Sequence, residues 1–367
     1  MELFHTSDEI NGTITRSQGI VSGQKRWMPR RVTFTPDAYV QPYGKEIYER
    51  VTQLNLPVEI LKNNRLTGVR GATEKETYKL AKSTLAIVNA PPSAFKLRPI
   101  PPSADWQYNL AEGCPAHCQY CYLAGSLSGP PVIRVFANLP DILQNLANYE
   151  RPGQLTSYEA SCYTDPLGIE HLTGGLAASI KYFAGRPDSR LRYVSKFDAV
   201  ESLLGIDHQG HTRCRVSLNA GPISTRLEGG TSRIDERLNA IRKLALPVDR
   251  GGGSYPVGVV IAPIMPIPNW QEEYSLLLNK LQLSLDFTCD LTFELITHRF
   301  TPGSKEVLLG WYPNTSLEMD EANRTTKQNK FGGTKYVYPK EMMRSLKDFF
   351  EHEIGTRFPK ASILYWT

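Results

Sequence analysis

The run Trp106-Gln-Tyr-Asn-Leu-Ala-Glu-Gly-Cys114-Pro-Ala-His-Cys118-Gln-Tyr-Cys121 leads from a strand-like start straight into three cysteines within eight residues. The spacing C-x3-C-x2-C offers three thiolates to a four-iron cluster and leaves one iron without a protein ligand. A cluster held by four Cys is suited to carrying electrons. One held by three can bind a second molecule at its open iron, as a catalytic zinc does at its empty position. The rival reading is zinc, with His117 or Cys162 completing a tetrahedron. Structural zinc sites usually split their ligands into two pairs, whereas here three crowd one loop. Disulfides are the least expected use. The start Met1-Glu-Leu-Phe-His-Thr-Ser-Asp8 lacks a basic segment and an apolar run, and the cytoplasmic setting this implies keeps thiols reduced.

Working outward, 367 residues suffice for one large α/β domain with appendages, or for two domains. Apolar content of 41% and charged content of 22% are those of a globular chain with a real core. No stretch approaches the roughly 20 apolar residues that span a bilayer, so a soluble protein with no membrane partner is expected. The net charge of +5 permits a polyanionic partner without requiring one. No repeat of fixed period is present.

Residues 1–29 are polar and aperiodic, and a flexible arm is expected there. Residues 30–104 alternate short apolar runs (Arg31-Val-Thr-Phe-Thr35, Pro57-Val-Glu-Ile-Leu61, Thr84-Leu-Ala-Ile-Val88) with helix-capable segments, as an N-terminal α/β lead-in would. Prolines 91, 92, 99, 101 and 102 predict a stiff linker after it. Over 105–310, strand-like runs occur at Trp106–Leu110, Ser157–Cys162, Leu191–Lys196, Arg213–Asn219, Val257–Ile261 and Leu291–Ile296. Amphipathic segments at Leu139–Asn148, His171–Phe183, Asp198–Leu204, Arg233–Leu244 and Trp270–Leu285 separate them. Near-continuous apolar strands alternating with helices predict a parallel sheet. Without an early Gly-x-Gly-x-x-Gly, the expected fold is α/β, a partial (β/α)6 TIM-type barrel. Residues 311–367 predict an extension: a hairpin turning at Gly332-Gly333, a helix at Lys340–Glu353 and a strand at Ser362–Trp366. The glycine-rich loop Leu246–Tyr255 is expected to be flexible.

Catalytic groups of βα barrels collect at the C-terminal ends of the strands. There this chain carries the cluster loop, Glu159-Ala-Ser-Cys162-Tyr-Thr-Asp165, Lys196, Ser217-Leu-Asn219, Ala262-Pro263 and His298-Arg299. A thiol is the best hydrogen-atom donor among side chains, which suits Cys162 at a strand end; the plainer reading is a small buried hydrophobe. Cys214 and Cys289 sit in apolar runs and read as core. Asp165 and Glu159 either orient a cofactor or cap the next helix.

With these motifs in order, the chain resembles the spore photoproduct lyases, a radical S-adenosylmethionine (SAM) family. The resemblance is carried by Cys114-x3-Cys118-x-Tyr120-Cys121-Tyr122-Leu123, Glu159-Ala-Ser-Cys162, Val194-Ser-Lys196-Phe197 and Val216-Ser217-Leu-Asn219-Ala220. Ile261-Ala-Pro-Ile264, Thr292-Phe-Glu-Leu-Ile-Thr-His298-Arg299-Phe300 and Lys335-Tyr-Val-Tyr338 extend it from about Arg30 to the C-terminus. It implies a [4Fe–4S] cluster on Cys114, Cys118 and Cys121, with SAM bound at the open iron. It also implies repair of 5-thyminyl-5,6-dihydrothymine in ultraviolet-damaged DNA. A 5′-deoxyadenosyl radical takes hydrogen from C6 of the lesion, the methylene bridge breaks, and a cysteine matched by Cys162 returns a hydrogen atom. Lys196 and Ser217 match residues that hold the SAM carboxylate, and Thr164 stands where a serine near the amino group is usual. Ser161 and Asn219, in the same motifs, join the candidate cofactor set. Tyr120 and Tyr122 match tyrosines of a radical relay.

A lesion inside a duplex reaches such a site only by flipping out, which calls for phosphate contacts and a wedge. Arg324–Tyr336 interleaves cations with aromatics, and Lys330, Phe331, Lys335, Tyr336, His298 and Arg299 are the candidate DNA contacts. The family usually has Arg-Tyr at the hairpin tip. Lys330-Phe331 keeps charge and ring but not the forked guanidinium or the phenol. A flavodoxin or ferredoxin is the expected electron donor, and a monomer the expected state. The rival expectations are a radical SAM enzyme acting on another nucleic acid or a peptide, and a zinc-stabilised DNA-binding protein without catalysis.

Overall fold

A computed structural model describes residues 26–127, 129–151, 153–328 and 333–367. Most of the expected N-terminal arm, and the hairpin tip with Lys330 and Phe331, lie outside the described residues. The first three strands are β1 (Arg31–Phe34), β2 (Val58–Ile60) and β3 (Thr84–Val88), where the three apolar runs predict them. Next come β4 (Arg98–Ile100), β5 (Ala104–Tyr108), β6 (Ala111–Glu112), β7 (His117–Cys118) and β8 (Ile133–Phe136). β9 (Thr156–Ala160), β10 (Ser189–Ser195), β11 (Thr212–Leu218), β12 (Glu228–Gly229), β13 (Val257–Ile264) and β14 (Leu291–Thr297) follow. The chain ends with β15 (Thr325–Gln328), β16 (Thr334–Val337) and β17 (Ser362–Trp366).

Two sheets share one continuous core. The first has the order β2-β1-β3-β8-β6, so the lead-in strands take a fourth and a fifth strand from either side of the cluster loop. The second has the order β17-β14-β13-β11-β10-β9-β5-β4. Its members from β5 to β17 run parallel, and β4 pairs antiparallel with β5. The expected proline linker is therefore partly a strand. Pro99 is tolerated because β4 is an edge, where a missing N–H breaks no inner ladder. The loop expected to be flexible is instead a closed turn. Gly252, Gly253, Ser254 and Tyr255 donate backbone hydrogen bonds to Pro247, Lys243, Leu246 and Leu244 at 2.8–3.0 Å. Cys214 is fully buried, as expected of a core residue, whereas Cys289 is half-buried and precedes β14.

Period-2 alternation gives the long sheet two unlike faces. Leu191, Tyr193, Cys214, Val216, Leu218, Phe293 and Leu295 belong to the apolar core. The opposite face carries Glu159, Arg192, Arg215, Ser217 and Glu294. Arg215 pairs with Glu159 and, at 2.6 Å, with Glu294, which also pairs with Arg192. Ser103 Oγ, before β5, donates to Glu159 Oε2 at 2.7 Å, while Tyr365 Oη, on β17, donates to Glu294 Oε2 at 2.6 Å. Groups from both ends of the strand order meet across this face, which requires a curled sheet. The fold is α/β, with the long sheet curled as a half-barrel whose edges, β4 and β17, stay unjoined.

Candidate active site

The cluster loop is held from three sides. Gly113 enters it at φ +80°, where a Cβ would lie 2.2 Å from the Val132 carbonyl oxygen, so only glycine fits. β7 pairs antiparallel with β12, setting Cys118 opposite Glu228. Gln119 extends the zipper, its N donating to Leu227 O at 2.8 Å and its Nε2 to Arg226 O at 3.1 Å. Lys82 donates to the carbonyls of Cys114 and Ala116.

All six cysteines are free thiols. Cys114, Cys118 and Cys121 line one pocket, and burial pushes the first two up to about 12 and the third to about 11. Among the described residues, no three His, Cys, Asp or Glu side chains converge closely enough for a single metal ion. His117 Nδ1 is engaged by Tyr78 Oη at 2.9 Å. This geometry disfavours zinc with His117 or Cys162 as fourth ligand. Three thiols spread around a pocket fit a wider body, as a four-iron cluster is.

Glu228 organises the neighbouring wall. Its Oε1 accepts from Tyr120 Oη and, at 3.0 Å, from Lys196 Nζ; its Oε2 lies 2.7 Å from Arg237 Nη2. Burial would raise this carboxyl, but Lys196 and Arg237 outweigh it and hold it down at about 2. Tyr120 is pushed well above its ordinary value, by burial first and then by the Glu228 charge. Lys196 Nζ also donates to Ser217 Oγ at 2.8 Å and stands 5.5 Å from the centre of the Tyr120 ring. The strand end bearing Lys196 is fixed by Asp165, which accepts from Lys196 N at 2.7 Å, Ser195 Oγ at 2.8 Å and Gly168 N at 3.2 Å. Asp165 thus braces the turn beneath the site. Glu159 is committed to the ion network of the sheet.

Thr164 is buried, and its Oγ1 has no partner among the described residues. A buried hydroxyl left unpaired on the strand-end loop that carries Cys162 is a group that a polar ligand would satisfy. Ser161 and Asn219 have other duties. Ser161 takes φ +58° and accepts from Leu110 N at 3.2 Å, turning the chain just before Cys162. Asn219 is fully buried, with Nδ2 donating to Pro263 O and Oδ1 accepting from Tyr274 Oη. Both shape the rim without presenting a free group.

Cys162 is half-buried, and burial pushes its thiol up to about 12, so it carries its S–H at neutral pH. Tyr122 follows Cys121 directly in the chain and is 63% exposed.

The hairpin β15–β16 is docked on the rim by a bridge between Phe300 and Tyr336, whose rings stack at 5.2 Å. Arg324, the first cation of the Arg324–Tyr336 segment, is buried, 3.8 Å from the centre of the Tyr338 ring and paired with Glu318. His298 is only 2% exposed; its carbonyl accepts from Arg324 Nη1, and burial pushes its ring down to about 3. It faces the hairpin base rather than solvent. Arg299 is exposed, and Lys335 is half-buried and lies opposite Lys327 in the hairpin register. Lys335 is held below its ordinary value, first by desolvation and then by Arg299 and Lys327.

Sequence reasoning missed Glu228, Arg237 and Lys82. A Glu in a two-residue strand and a Lys at a helix end carry no local signal; only the fold brings them to the cysteines.

The family pattern described as "Spore photoproduct lyase" matches residues 27–367. Proteins named spore photoproduct lyase from Geobacillus sp. (strain Y412MC61) and Bacillus subtilis (strain 168) are 39% and 37% identical to this chain. Each match covers 94% of this chain and 100% of the relative. A solved spore photoproduct lyase mutant with bound AdoMet and dinucleoside spore photoproduct is 38% identical, with a TM-score of 0.87 over 94% of this chain and 100% of that one. A match of this extent agrees with the cysteine loop and the strand-end thiol: the chain belongs to the spore photoproduct lyase family.

Proposed function

We propose that this protein is a radical SAM lyase that returns the spore photoproduct in ultraviolet-damaged DNA to two thymines. The observation that carries the reading is the pairing of a three-cysteine pocket with a separate, protonated thiol, Cys162, on the next strand end. Cys114, Cys118 and Cys121 would hold the [4Fe–4S] cluster; Lys196, Ser217 and Thr164 would hold SAM. Together these groups supply a carbon-centred radical when bound. Cys162 gives its sulfur-bound hydrogen atom to the thymine radical left when the methylene bridge opens, and the sulfur keeps the unpaired electron. Tyr122, next to Cys121, and Tyr120, held by Glu228, would pass a hydrogen atom back toward the cofactor. Lys196 would neutralise the cofactor's carboxylate, while Glu228 restrains the Lys196 ammonium.

The finer architecture belongs to the same proposal. β5, β9, β10, β11, β13 and β14 form the (β/α)6 partial barrel of radical SAM enzymes, with β17 added at its edge. Residues 30–104 form the lead-in, 105–310 the barrel and 311–367 the DNA-facing extension. Arg299, Lys327 and Lys335 present mutually repelling positive charge on the hairpin side of the rim, which suits a phosphate backbone. Lys330, Phe331 and Tyr336 complete the DNA contacts. The enzyme acts in the cytoplasm as a monomer, with a flavodoxin or ferredoxin as electron donor. Among the described residues no helix is long and apolar enough to cross a membrane.

The test is anaerobic turnover. Reconstituted protein, dithionite and SAM are incubated with synthetic dinucleoside spore photoproduct, and release of thymidine is followed by chromatography. SAM-dependent release is expected. SAM cleavage with an intact lesion would overturn the substrate assignment.

A further inference from the structure

We propose that Lys82 is a built-in countercharge of the iron–sulfur cluster and holds its reduction potential up. This rests on the cluster assignment above. Lys82 ends the helix Glu74–Lys82, whose start is fixed by a capping box. In it Thr73 Oγ1 accepts from Glu76 N at 3.2 Å and Glu76 Oε2 accepts from Thr73 N at 3.3 Å. Lys75 and Lys79 on this helix are exposed, but Lys82 is buried to 6% exposure. Its Nζ donates to the carbonyls of Cys114 and Ala116, and it lines the pocket of Cys114, Cys118 and Cys121.

Among the described residues, the other buried cations are Arg215, Arg237 and Arg324. Each has a carboxylate partner, while Lys82 bonds to carbonyls. A buried ammonium without a counter-ion is costly. The molecule tolerates that cost at a pocket where a negative body is due. Three thiolates on a four-iron core carry net negative charge, and one electron from the carrier protein adds another unit. A fixed cation beside the core therefore favours the reduced form over the oxidised one, since net charge near a cluster is one of the levers on its potential. The same charge helps hold the oxidised cluster in place.

Three variants separate charge from geometry. Lys82→Arg keeps the cation, Lys82→Gln keeps a hydrogen-bond donor without charge, and Lys82→Met keeps neither. Full-length proteins are reconstituted anaerobically with iron and sulfide. Iron content, far-UV circular dichroism and midpoint potential by dithionite titration under EPR are then read. Wild-type iron content and EPR signal test the cluster itself, and the variants test Lys82. The Arg variant is expected at the wild-type potential. The Gln and Met variants are expected to favour the oxidised cluster by about tenfold more, a shift of about 59 mV to more negative potential. Folded Gln and Met proteins that lose iron while Arg keeps it carry the same conclusion. A Gln variant at the wild-type potential, or loss of iron by all three alike, overturns it and leaves Lys82 a clasp for two loop carbonyls.

Discussion

At the scale of single residues, Glu228 shows how one carboxylate couples two roles. It anchors the Tyr120 phenol and restrains Lys196, and it does both only while ionised. Its folded value of about 2 lies below its ordinary 4.5. The stability it contributes is therefore fully present above pH 4.5 and lost as pH falls toward 2. Glu228→Gln leaves Lys196 and Arg237 with an uncompensated buried charge, a loss of about 3–5 kcal/mol at pH 7. Melting temperatures of wild type and variant should converge as pH drops through that window; a difference that stays constant from pH 7 to 3 would assign the effect to packing. Cys162 makes a different prediction. With its thiol raised to about 12, the S–H persists, and repair yield should stay flat from pH 7 to 9, where an ordinary cysteine near 8.5 would ionise. Cys162→Ala should keep SAM cleavage while the thymine radical goes to other products, read by chromatography. Cys162 was legible because its motif places a thiol at a strand end. Glu228 was not, since 108 residues separate it from the Tyr120 that it binds.

At the scale of elements, the strands that carry the site were the easiest to read. β9, β10, β11, β13 and β14 are bounded within a few residues of the runs that predict them, because every second residue is an apolar one that faces the core and helices set the strands apart. Edges and short pieces hide: Pro99 disguises β4, and Ile133–Phe136 has four residues in which no period can show. The hairpin was visible from its paired glycines, yet its cations divide in a way that composition cannot show. Arg324 serves inside, caged by Phe300, Tyr338 and Glu318, while Lys327 and Lys335 face each other across the strands. Like charges directly opposite weaken a hairpin, so a facing pair of lysines, one exposed and one half-buried, fits a surface that is relieved by phosphate. Lys335→Ala should weaken binding to duplex DNA about equally for damaged and undamaged sequence. It should also lower the salt slope of the affinity by about 1. A selective loss for damaged DNA would instead make Lys335 a lesion reader. Arg324→Met should leave the salt slope unchanged while speeding hydrogen exchange at the Tyr336 amide, which bonds to Phe300 O at 2.8 Å.

At the scale of the molecule, the half-barrel raises a problem that a closed barrel avoids: its concave face has no ring of strands to complete it. The chain answers with charge. Arg215 reaches Glu159 on one side and Glu294 on the other, Arg192 shares Glu294, and Ser103 and Tyr365 bring the first and last parts of the sheet onto the same carboxylates. Five of these six side chains come from strands distant in sequence, so alternation predicts which face they share but not that they meet. Arg215 stands two residues before Ser217 on β11, and Arg192 four before Lys196 on β10, so the network backs the site and ties together the strands whose ends form it. Arg215→Met is the decisive substitution, because it matches the apolar volume while leaving two buried carboxylates without their shared cation. It should cost about 3–5 kcal/mol in denaturant unfolding and loosen SAM binding with the cluster loop still intact. Replacing Glu159, Arg215 and Glu294 together by Gln, Met and Gln should recover much of that stability, since the uncompensated charge is gone. If SAM affinity recovers with it, packing alone suffices to hold the curl; if stability returns and affinity does not, the ion network is what fixes the shape of the site.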